Sequence, residues 1–211
     1  MKSSFSRNFT MAATILLLAL TILGASFQYQ VNSFLEDTTV SQLRQDSQVV
    51  ANWASAYGVD GNLTSRELML NLDIVSQITQ ADVVICNNQG YIILCSGSLT
   101  GCDHDGWKLN QAYLDKVYEN DGYSATGTIR NLYSEERYVV SAPIVSGEEH
   151  LGIVMVSTPT AGTRVVLDKI GNIFTTAAVF VVLVAVLGVT AFARRESKPL
   201  KELANAATAF G

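Results

Sequence analysis

The feature that most constrains this 211-residue chain is residues 173–193, a run of 21 residues without a charged side chain. About 20 apolar residues are needed to cross a bilayer as a helix. Arg194 and Arg195 follow the run directly, and an excess of basic residues marks the cytoplasmic side of a spanning helix. The sequence therefore predicts a transmembrane helix at residues 173–193 and a cytoplasmic segment at residues 194–211.

A second apolar segment, residues 9–31, lies near the start of the chain, and Lys2 and Arg7 precede it. We interpret it as another spanning helix, with residues 1–8 in the cytoplasm. The alternative is a cleavable signal peptide, because small residues occur near the end of the apolar run. The length of the run favours the spanning helix, which makes this a multi-pass membrane protein with both termini inside the cell.

Residues 32–172 are then predicted to lie outside the cell. They contain 17 acidic and 8 basic residues, a net charge of −9, which argues against a nucleic-acid partner. A segment of this length can bury a hydrophobic core of its own. We expect one compact extracytoplasmic domain.

Helical periodicity continues beyond the first apolar segment. One apolar stripe predicts that the first spanning helix extends outward to about Tyr57, for a length of roughly 70 Å. A second helix is predicted to end near Thr79, with Thr64 and Glu67 forming a capping box at its start. The residues of the stripe are Val31, Leu35, Leu43, Val50, Trp53 and Tyr57.

Beyond residue 81 the pattern becomes that of strands. Two short β-rich runs surround an Asn-Asn-Gln-Gly turn, which predicts a hairpin. A short helix is predicted at residues 110–119, and three further strands follow it. The predicted strands are 82–86, 91–95, 123–130, 137–144 and 151–157. They indicate an α+β domain with a five-stranded antiparallel sheet, and residues 165–170 are predicted to lead helically into the second span.

This order of elements resembles the PAS-like, single-Cache extracytoplasmic domains of bacterial sensor histidine kinases. The resemblance rests on the Asp-Val-Val-Ile and Gly-Tyr-Ile-Ile hairpin, the Val-Val-Ser-Ala-Pro-Ile strand, and the Leu-Gly-Ile-Val-Met-Val-Ser-Thr-Pro segment before the last helix. It implies the fold of a PAS-like/Cache sensor domain, with a long N-terminal helix, between two transmembrane helices.

Residues 194–211 resemble the start of a HAMP signal-relay domain, which the sequence truncates. Pro199 is suited to a first helical turn. Leu200, Leu203, Ala207 and Phe210 are spaced as the a and d positions of a coiled coil. An ordinary amphipathic juxtamembrane helix is the alternative interpretation.

The resemblance implies transmembrane signal sensing as the input half of a kinase in a two-component phosphorelay. In that family a phosphoacceptor histidine and an ATP-binding domain follow the HAMP region. The only histidines here, His104 and His150, are predicted to lie outside the cell, so we expect no catalytic residue and no cofactor in this chain. ATP and Mg²⁺ are expected only in a missing kinase portion. Expected partners are a second copy of the chain in a homodimer, an extracellular ligand, and a response regulator bound by the kinase portion.

Three other functions remain open. A chemoreceptor or a cyclic-dinucleotide enzyme can share this input module, and a free-standing two-span protein can regulate a separate kinase. An extracytoplasmic hydrolase is disfavoured, because no Gly-x-Ser-x-Gly or His-Glu-x-x-His motif is present.

The three cysteines are all predicted to lie in the oxidising compartment. Cys95 and Cys102 are close enough in sequence for a disulfide, and Cys86 is expected to be a buried thiol. Cys102 and His104, in a Cys-Asp-His-Asp sequence, are candidate ligands for zinc or iron. A solvated turn without metal is the alternative, because ligands of a tetrahedral site are usually drawn from separate elements.

A ligand pocket is expected between the sheet and the helices and loops that cover it. Arginine side chains there could bind a carboxylate through two nitrogens. Alternatively, the arginines are exposed charges beside a turn and the tyrosines pack the sheet. The candidate ligand-binding residues are Trp107, Tyr123, Arg130, Tyr133, Arg137, Tyr138 and Ser141.

Overall fold

The structure is a computed structural model, which describes residues 4–59, 61–97, 104, 106–129 and 132–209. The residues group into two compact units. One is the outer domain, Ser33–Arg164, and the other comprises the residues up to Asn32 together with those from Val165 onward.

Two long helices contain the apolar segments. Helix α1 covers Ser4–Gly58, and helix α4 covers Thr160–Ala209. Stretches of Ala13–Gly58 and Thr160–Thr190 are long and apolar enough to cross a membrane, with mean hydropathies of 1.5 and 2.5. The helical predictions for both apolar segments are confirmed, as is the end of the first helix at Gly58.

The outer domain contains a five-stranded sheet in which every neighbouring pair is antiparallel. Its order is β2-β1-β5-β4-β3. The strands are β1 Asp82–Asn87, β2 Ile92–Cys95, β3 Tyr123–Gly127, β4 Arg137–Ser146 and β5 Glu149–Pro159. This arrangement confirms the predicted fold class.

Alternation along the strands gives the sheet two buried faces. On one face Val140, Ala142 and Val154 pack against α1 and against α2, which covers Arg66–Thr79. On the other face Val139 and Met155 pack with residues of α3, which covers Gln111–Glu119. The core therefore consists of two layers separated by the sheet.

The buried stripe of α1 differs from the predicted one. Leu43 and Val50 are buried as expected, but Trp53 is 43% exposed, and the small residues Ala51 and Ala54 are buried instead. The small side chains of Ala51 and Ala54 allow the helix to lie close to the sheet. The apolar indole of Trp53 did not predict burial correctly, because large aromatic residues often remain partly exposed.

The cap of α2 lies one residue later than predicted. Ser65, rather than Thr64, is the N-cap: its backbone is extended, and its Oγ accepts a hydrogen bond from the amide of Leu68 at 3.2 Å. Glu67 therefore does not occupy the third helical position that a capping box requires.

Two other boundaries also differ from the prediction. Strand β3 ends at Gly127, whose φ of 143° is followed by a positive φ of 43° at Ile129, so the extended run stops before residue 130. Helix α4 begins at Thr160, directly after β5. The carbonyl oxygen of Glu136 accepts hydrogen bonds from the Thr160 amide at 3.0 Å and from its Oγ1 at 3.1 Å.

Candidate ligand-binding cavities

The first candidate site is a cavity of about 250 Å³ between α3 and the sheet, called here the α3 cavity. Its walls are mainly apolar and aromatic, and Lys116 is the charged residue among the described lining residues. Side chains that define the cavity include those of Trp107, Tyr113, Lys116, Tyr123, Ala125 and Ile129.

Local hydrogen bonds hold the entrance to α3 against the edge of the sheet. The carbonyl of Trp107 accepts from the Ile92 amide at 3.0 Å, and the Leu109 amide donates to the Gly90 carbonyl at 2.9 Å. Asn110 caps α3 by accepting from the amide of Ala112. These bonds continue the pairing beyond β2 and so position Trp107 at the cavity.

Tyr113 forms the polar floor of the α3 cavity. Its hydroxyl lies 2.8 Å from Oγ of Ser141, and its ring packs edge-on against Tyr123 at a centroid distance of 5.4 Å. Burial raises the pKa of Tyr113, so the hydroxyl remains protonated and neutral. The Lys116 ammonium lies 5.1 Å from the centre of the Tyr123 ring. The cavity can thus hold an apolar molecule that presents an acceptor group to Lys116.

A second cavity, of about 610 Å³, lies beside Arg137 and is called here the Arg137 cavity. Arg137 is only 8% exposed. Its Nη2 lies 2.5 Å from a carboxylate oxygen of Asp82 and 3.3 Å from the Ser157 carbonyl, and Nη1 lies 3.4 Å from Glu135. The guanidinium also lies 4.9 Å from the centre of the Tyr133 ring.

These contacts occupy both terminal nitrogens of Arg137. Among the described residues, Nε of Arg137 has no hydrogen-bond partner, and the hydroxyls of Tyr133 and Ser157 lack partners with hydrogen-bonding geometry. Burial raises the pKa of Tyr133, so its hydroxyl remains protonated. A carboxylate ligand would meet a guanidinium that already binds two carboxylates.

The structure separates the candidate ligand-binding residues into groups. Trp107 and Tyr123 line the α3 cavity, and Ser141 lies within hydrogen-bonding distance of the lining residue Tyr113. Tyr133 and Arg137 line the Arg137 cavity.

Tyr138 lies on the opposite face of the sheet, in the layer formed with α1 and α2. Since neighbouring residues of a strand point to opposite faces, Arg137 and Tyr138 cannot serve one pocket. Arg130 lies outside the described residues.

The described cysteines fall in two environments. Cys86 is a free thiol with no exposed surface, and Cys95 is disulfide-bonded. Cys102 lies outside the described residues, so its bridge to Cys95 stays a prediction.

His104 packs edge-on against Tyr133, with ring centroids 5.6 Å apart. Among the described residues there is no group of three or more histidine, cysteine or acidic side chains that could hold a metal ion. The proposed metal ligand Cys102 lies outside those residues, so the metal site also stays a prediction.

We expect Cys86 to be nearly inert towards alkylation. Burial raises its pKa to about 12, so at pH 8 the reactive thiolate is about a thousandfold scarcer than in an ordinary cysteine. With iodoacetamide and without reductant, the native chain should label at Cys86 at least ~100-fold more slowly than free cysteine. Denaturant should then release one rapidly labelled thiol, whereas three would exclude the bridge between Cys95 and Cys102.

Four of the relay candidates lie within α4, namely Pro199, Leu200, Leu203 and Ala207. Phe210 lies outside the described residues. The continuous helix is compatible with either interpretation of this segment, so the coiled-coil seam stays a prediction.

Comparison with known proteins places the outer domain among sensor folds. No protein-family model matches the chain, and no curated protein matches it significantly. The sensor domain of the V. cholerae histidine kinase DctB is 15% identical and aligns with a TM-score of 0.52, over 66% of this chain and 57% of that one. The sensory domain of the Campylobacter jejuni chemoreceptor Tlp3, with isoleucine bound, is 16% identical and aligns with a TM-score of 0.56, over 74% of this chain and 66% of that one.

These similarities establish the fold. The outer domain has the PAS-like/Cache fold, which the sensor domains of this histidine kinase and this chemoreceptor share. The chain spans less than two thirds of both of these structures.

Several site residues were not found from the sequence. Tyr113 and Lys116 were assigned only to a short helix, and Asp82 only to the start of a strand. Tyr113 and Lys116 are three residues apart and therefore lie on one helical face, which is the signal that could have identified them. Nothing in the sequence indicates that Asp82 meets Arg137, because 55 residues separate them.

Proposed function

We propose that this chain is the input portion of a bacterial sensor histidine kinase in a two-component phosphorelay. The single observation that carries the proposal is a Cache-fold domain that has a cavity between α3 and the sheet and that lies in the sequence between two apolar helices. In this proposal the protein spans the bacterial cell membrane twice, with both termini in the cytoplasm.

The α3 cavity is the proposed site of the stimulus. Its aromatic walls and neutral tyrosine hydroxyl suit a small molecule with an apolar body, and Lys116 suits an acceptor or anionic group on it. The similarly folded Tlp3 domain has isoleucine bound, which makes small amino acids and short-chain acids the first compounds to test.

The proposed output passes through α4. Ligand binding would shift the balance between two arrangements of the outer domain, and residues 194–211 would act as the start of the HAMP-like relay of a homodimer. The kinase portion would use ATP and Mg²⁺ and transfer phosphate to a response regulator.

Phosphorylation of the full-length protein in vesicles tests the kinase assignment. With labelled ATP and Mg²⁺, a kinase should acquire an acid-labile phosphohistidine. A full-length protein that does not label itself, yet changes the activity of an added chemotaxis kinase, would show a chemoreceptor, the second candidate that the Tlp3 fold supports.

Replacing Ala125 with leucine should block the α3 cavity. Ala125 lines the cavity from β3, and three additional carbons would occupy much of its space. We expect compounds that raise the Tm of the chain to lose at least ~10-fold in affinity, since inserting carbons into a filled space costs about 1–3 kcal/mol and each ~1.4 kcal/mol is a factor of about ten in affinity. Titration by calorimetry measures the change.

The matched control is Thr126→Leu. Thr126 is the exposed neighbour of Ala125 on the same strand, so a leucine at this position adds similar apolar bulk outside the cavity. Equal loss of affinity in both variants would contradict the assignment of the ligand to the α3 cavity.

A further inference from the structure

The outer domain exposes a cluster of large apolar side chains on α1 and α2, called here the α1–α2 patch. Val49 and Trp53 of α1 are 42% and 43% exposed, and Leu70, Ile74 and Ile78 of α2 are 42%, 55% and 77% exposed. These are five of the nine large apolar residues that are exposed in the described part of Ser33–Arg164. The other four are Phe34, Val59, Tyr91 and Val145. Exposed apolar surface concentrated in this way marks an interaction site.

The two helices of the patch run in opposite directions over one face of the sheet. Ser55, near the end of α1, donates a hydrogen bond to the carbonyl of Val145, beside the turn between β4 and β5. Helix α2 leads instead to the opposite end of the sheet, where Asp82 of β1 pairs with Ser157 near the end of β5. Helix α1 therefore ends near the start of α2.

A hydrogen bond between the helices identifies the sides that face each other. Nδ2 of Asn71 donates to the hydroxyl of Tyr57 at 3.4 Å. The two patch residues of α1 precede Tyr57 by four and eight residues, so they continue its side of the helix. On α2, Ile74 and Ile78 follow Asn71 by three and seven residues. Because the helices are antiparallel, the two rows lie side by side, and Glu67 lies one turn beyond the α2 row.

The patch side of α1 presents no exposed charge. Between residues 33 and 58, the exposed charged residues of α1 are Asp37 and Arg44, which lie about 120–180° around the helix from the patch residues. Asp46 lies closer to the patch, but it is half-buried: its Oδ1 accepts a hydrogen bond from Gln42, and its Oδ2 is buried. This side of α1 is therefore uncharged, although residues 32–172 contain 17 acidic and 8 basic residues.

An uncharged surface suits contact with a second copy of the same chain. In the proposed topology two copies share one membrane and one orientation, so a two-fold axis that relates them runs along the membrane normal. Residues near that axis meet their own counterparts, and a charged residue there would meet a like charge. An amide can meet its counterpart, because it carries both donors and an acceptor, and the exposed residues beside the patch include Gln45 and Asn52. A different protein would place no such restriction on charge.

We propose that the α1–α2 patch is the surface by which two copies of this chain pair outside the membrane, each presenting the same patch about a two-fold axis. The inference rests on the two-span topology of the proposed function and adds the surface of contact. Five apolar side chains are fewer than the roughly 20–30 residues that a standard interface has on each side. Pairing of the outer domains therefore depends on anchoring in the membrane, which raises the effective concentration of one domain near the other.

Cysteine cross-linking of the full 211-residue chain in vesicles of cell membrane tests the pairing. With a short bismaleimide, Val49→Cys and Ile74→Cys should each give a cross-linked dimer, and added lipid that dilutes the chains should not slow the reaction. Arg44→Cys places the thiol on the other side of α1 and should cross-link at least ~10-fold more slowly. The chain without an added cysteine gives the baseline, since Cys86 is buried.

A charge placed in the patch should separate the copies. Added to Val49→Cys, the change Ile74→Lys brings two ammonium groups together across the axis, and we expect cross-linking to be at least ~10-fold slower. The matched control is Val145→Lys, because Val145 is 41% exposed on β4 and lies outside the patch, so the rate should not change. An unchanged Tm shows that each variant is folded.

Equal cross-linking rates of Val49→Cys and Arg44→Cys would overturn the proposal, as would equal effects of Ile74→Lys and Val145→Lys. It would also be overturned if neither patch position cross-linked while Leu200→Cys did, or if the patch cross-linked to a different membrane protein. Autophosphorylation of the full-length protein is a separate measurement. A kinase whose patch does not cross-link would refute the pairing surface and leave the proposed function in place.

Discussion

Replacing Gly152 with alanine should destabilise the outer domain by about 3 kcal/mol or more, since overpacking a rigid core costs that much at its upper end. Gly152 lies in β5 opposite Asn87 of β1 and Ile144 of β4. A Cβ atom there would collide with the carbonyl of Cys86 and press on Cα of Asn87. Both obstacles are backbone atoms of a neighbouring strand, so no side-chain rotation can relieve the collision.

Urea unfolding of the chain in detergent, followed by tryptophan fluorescence, measures this loss. Gly162→Ala is the matched control, because Gly162 lies in α4 with nothing within 4 Å of an added Cβ atom. That change should be neutral or slightly stabilising, since alanine favours a helix. Similar stability of Gly152→Ala and Gly162→Ala would show that β1 and β5 are not as close as described.

Removing Asp82 should cost more than removing Arg137. Asp82→Ala leaves a guanidinium that is 9% exposed with only the longer contacts to Glu135 and to the Ser157 carbonyl. We expect a loss of about 2 kcal/mol, below the usual range for buried pairs because Asp82 is half exposed. Arg137→Met leaves two carboxylates that water can reach, and we expect about 1 kcal/mol. The double variant should be more stable than Asp82→Ala alone.

The same urea unfolding measurements, arranged as a double-mutant cycle, test this order. Arg164→Met is the control, because its pair with Glu136 is exposed on both sides and should contribute less than about 0.5 kcal/mol. If Arg137→Met proved more damaging than Asp82→Ala, the guanidinium would stabilise the fold chiefly through Ser157 and Tyr133 rather than through the ion pair.

The sequence predicted the elements well and their contacts poorly. The five strands and the two apolar helices were identified from local signals. These signals are the alternation of apolar residues along strands, the Asn-Asn-Gln-Gly turn and the length of the runs without charged residues. The cap of α2 moved from Thr64 to Ser65 because adjacent hydroxyl residues satisfy the same local pattern. The burial of α1 depends on what faces it, which explains why Ala51 and Ala54 are buried while Trp53 is not.

The candidate sites show the same limit. Trp107 and Tyr123 were identified as pocket residues from their chemistry, but their grouping required the sheet order, in which β3 is an edge strand beside β4. The partners of Arg137 come from β1, from β5 and from the segment just before β4. No local pattern encodes which of 17 acidic residues in the outer segment meets a given arginine.

The direct passage from β5 to α4 sets a rule for building hybrid receptors. Pro159 ends the strand and Thr160 begins the helix, so no linker residue separates them. Thr160 and Arg164 are both bonded to Glu136. A graft that joins this domain to another protein's membrane helix must therefore keep the native residues through Arg164. The junction should lie within the helix beyond that residue. Inserting or removing whole turns of about 3.6 residues there keeps each side chain on the same face of the helix.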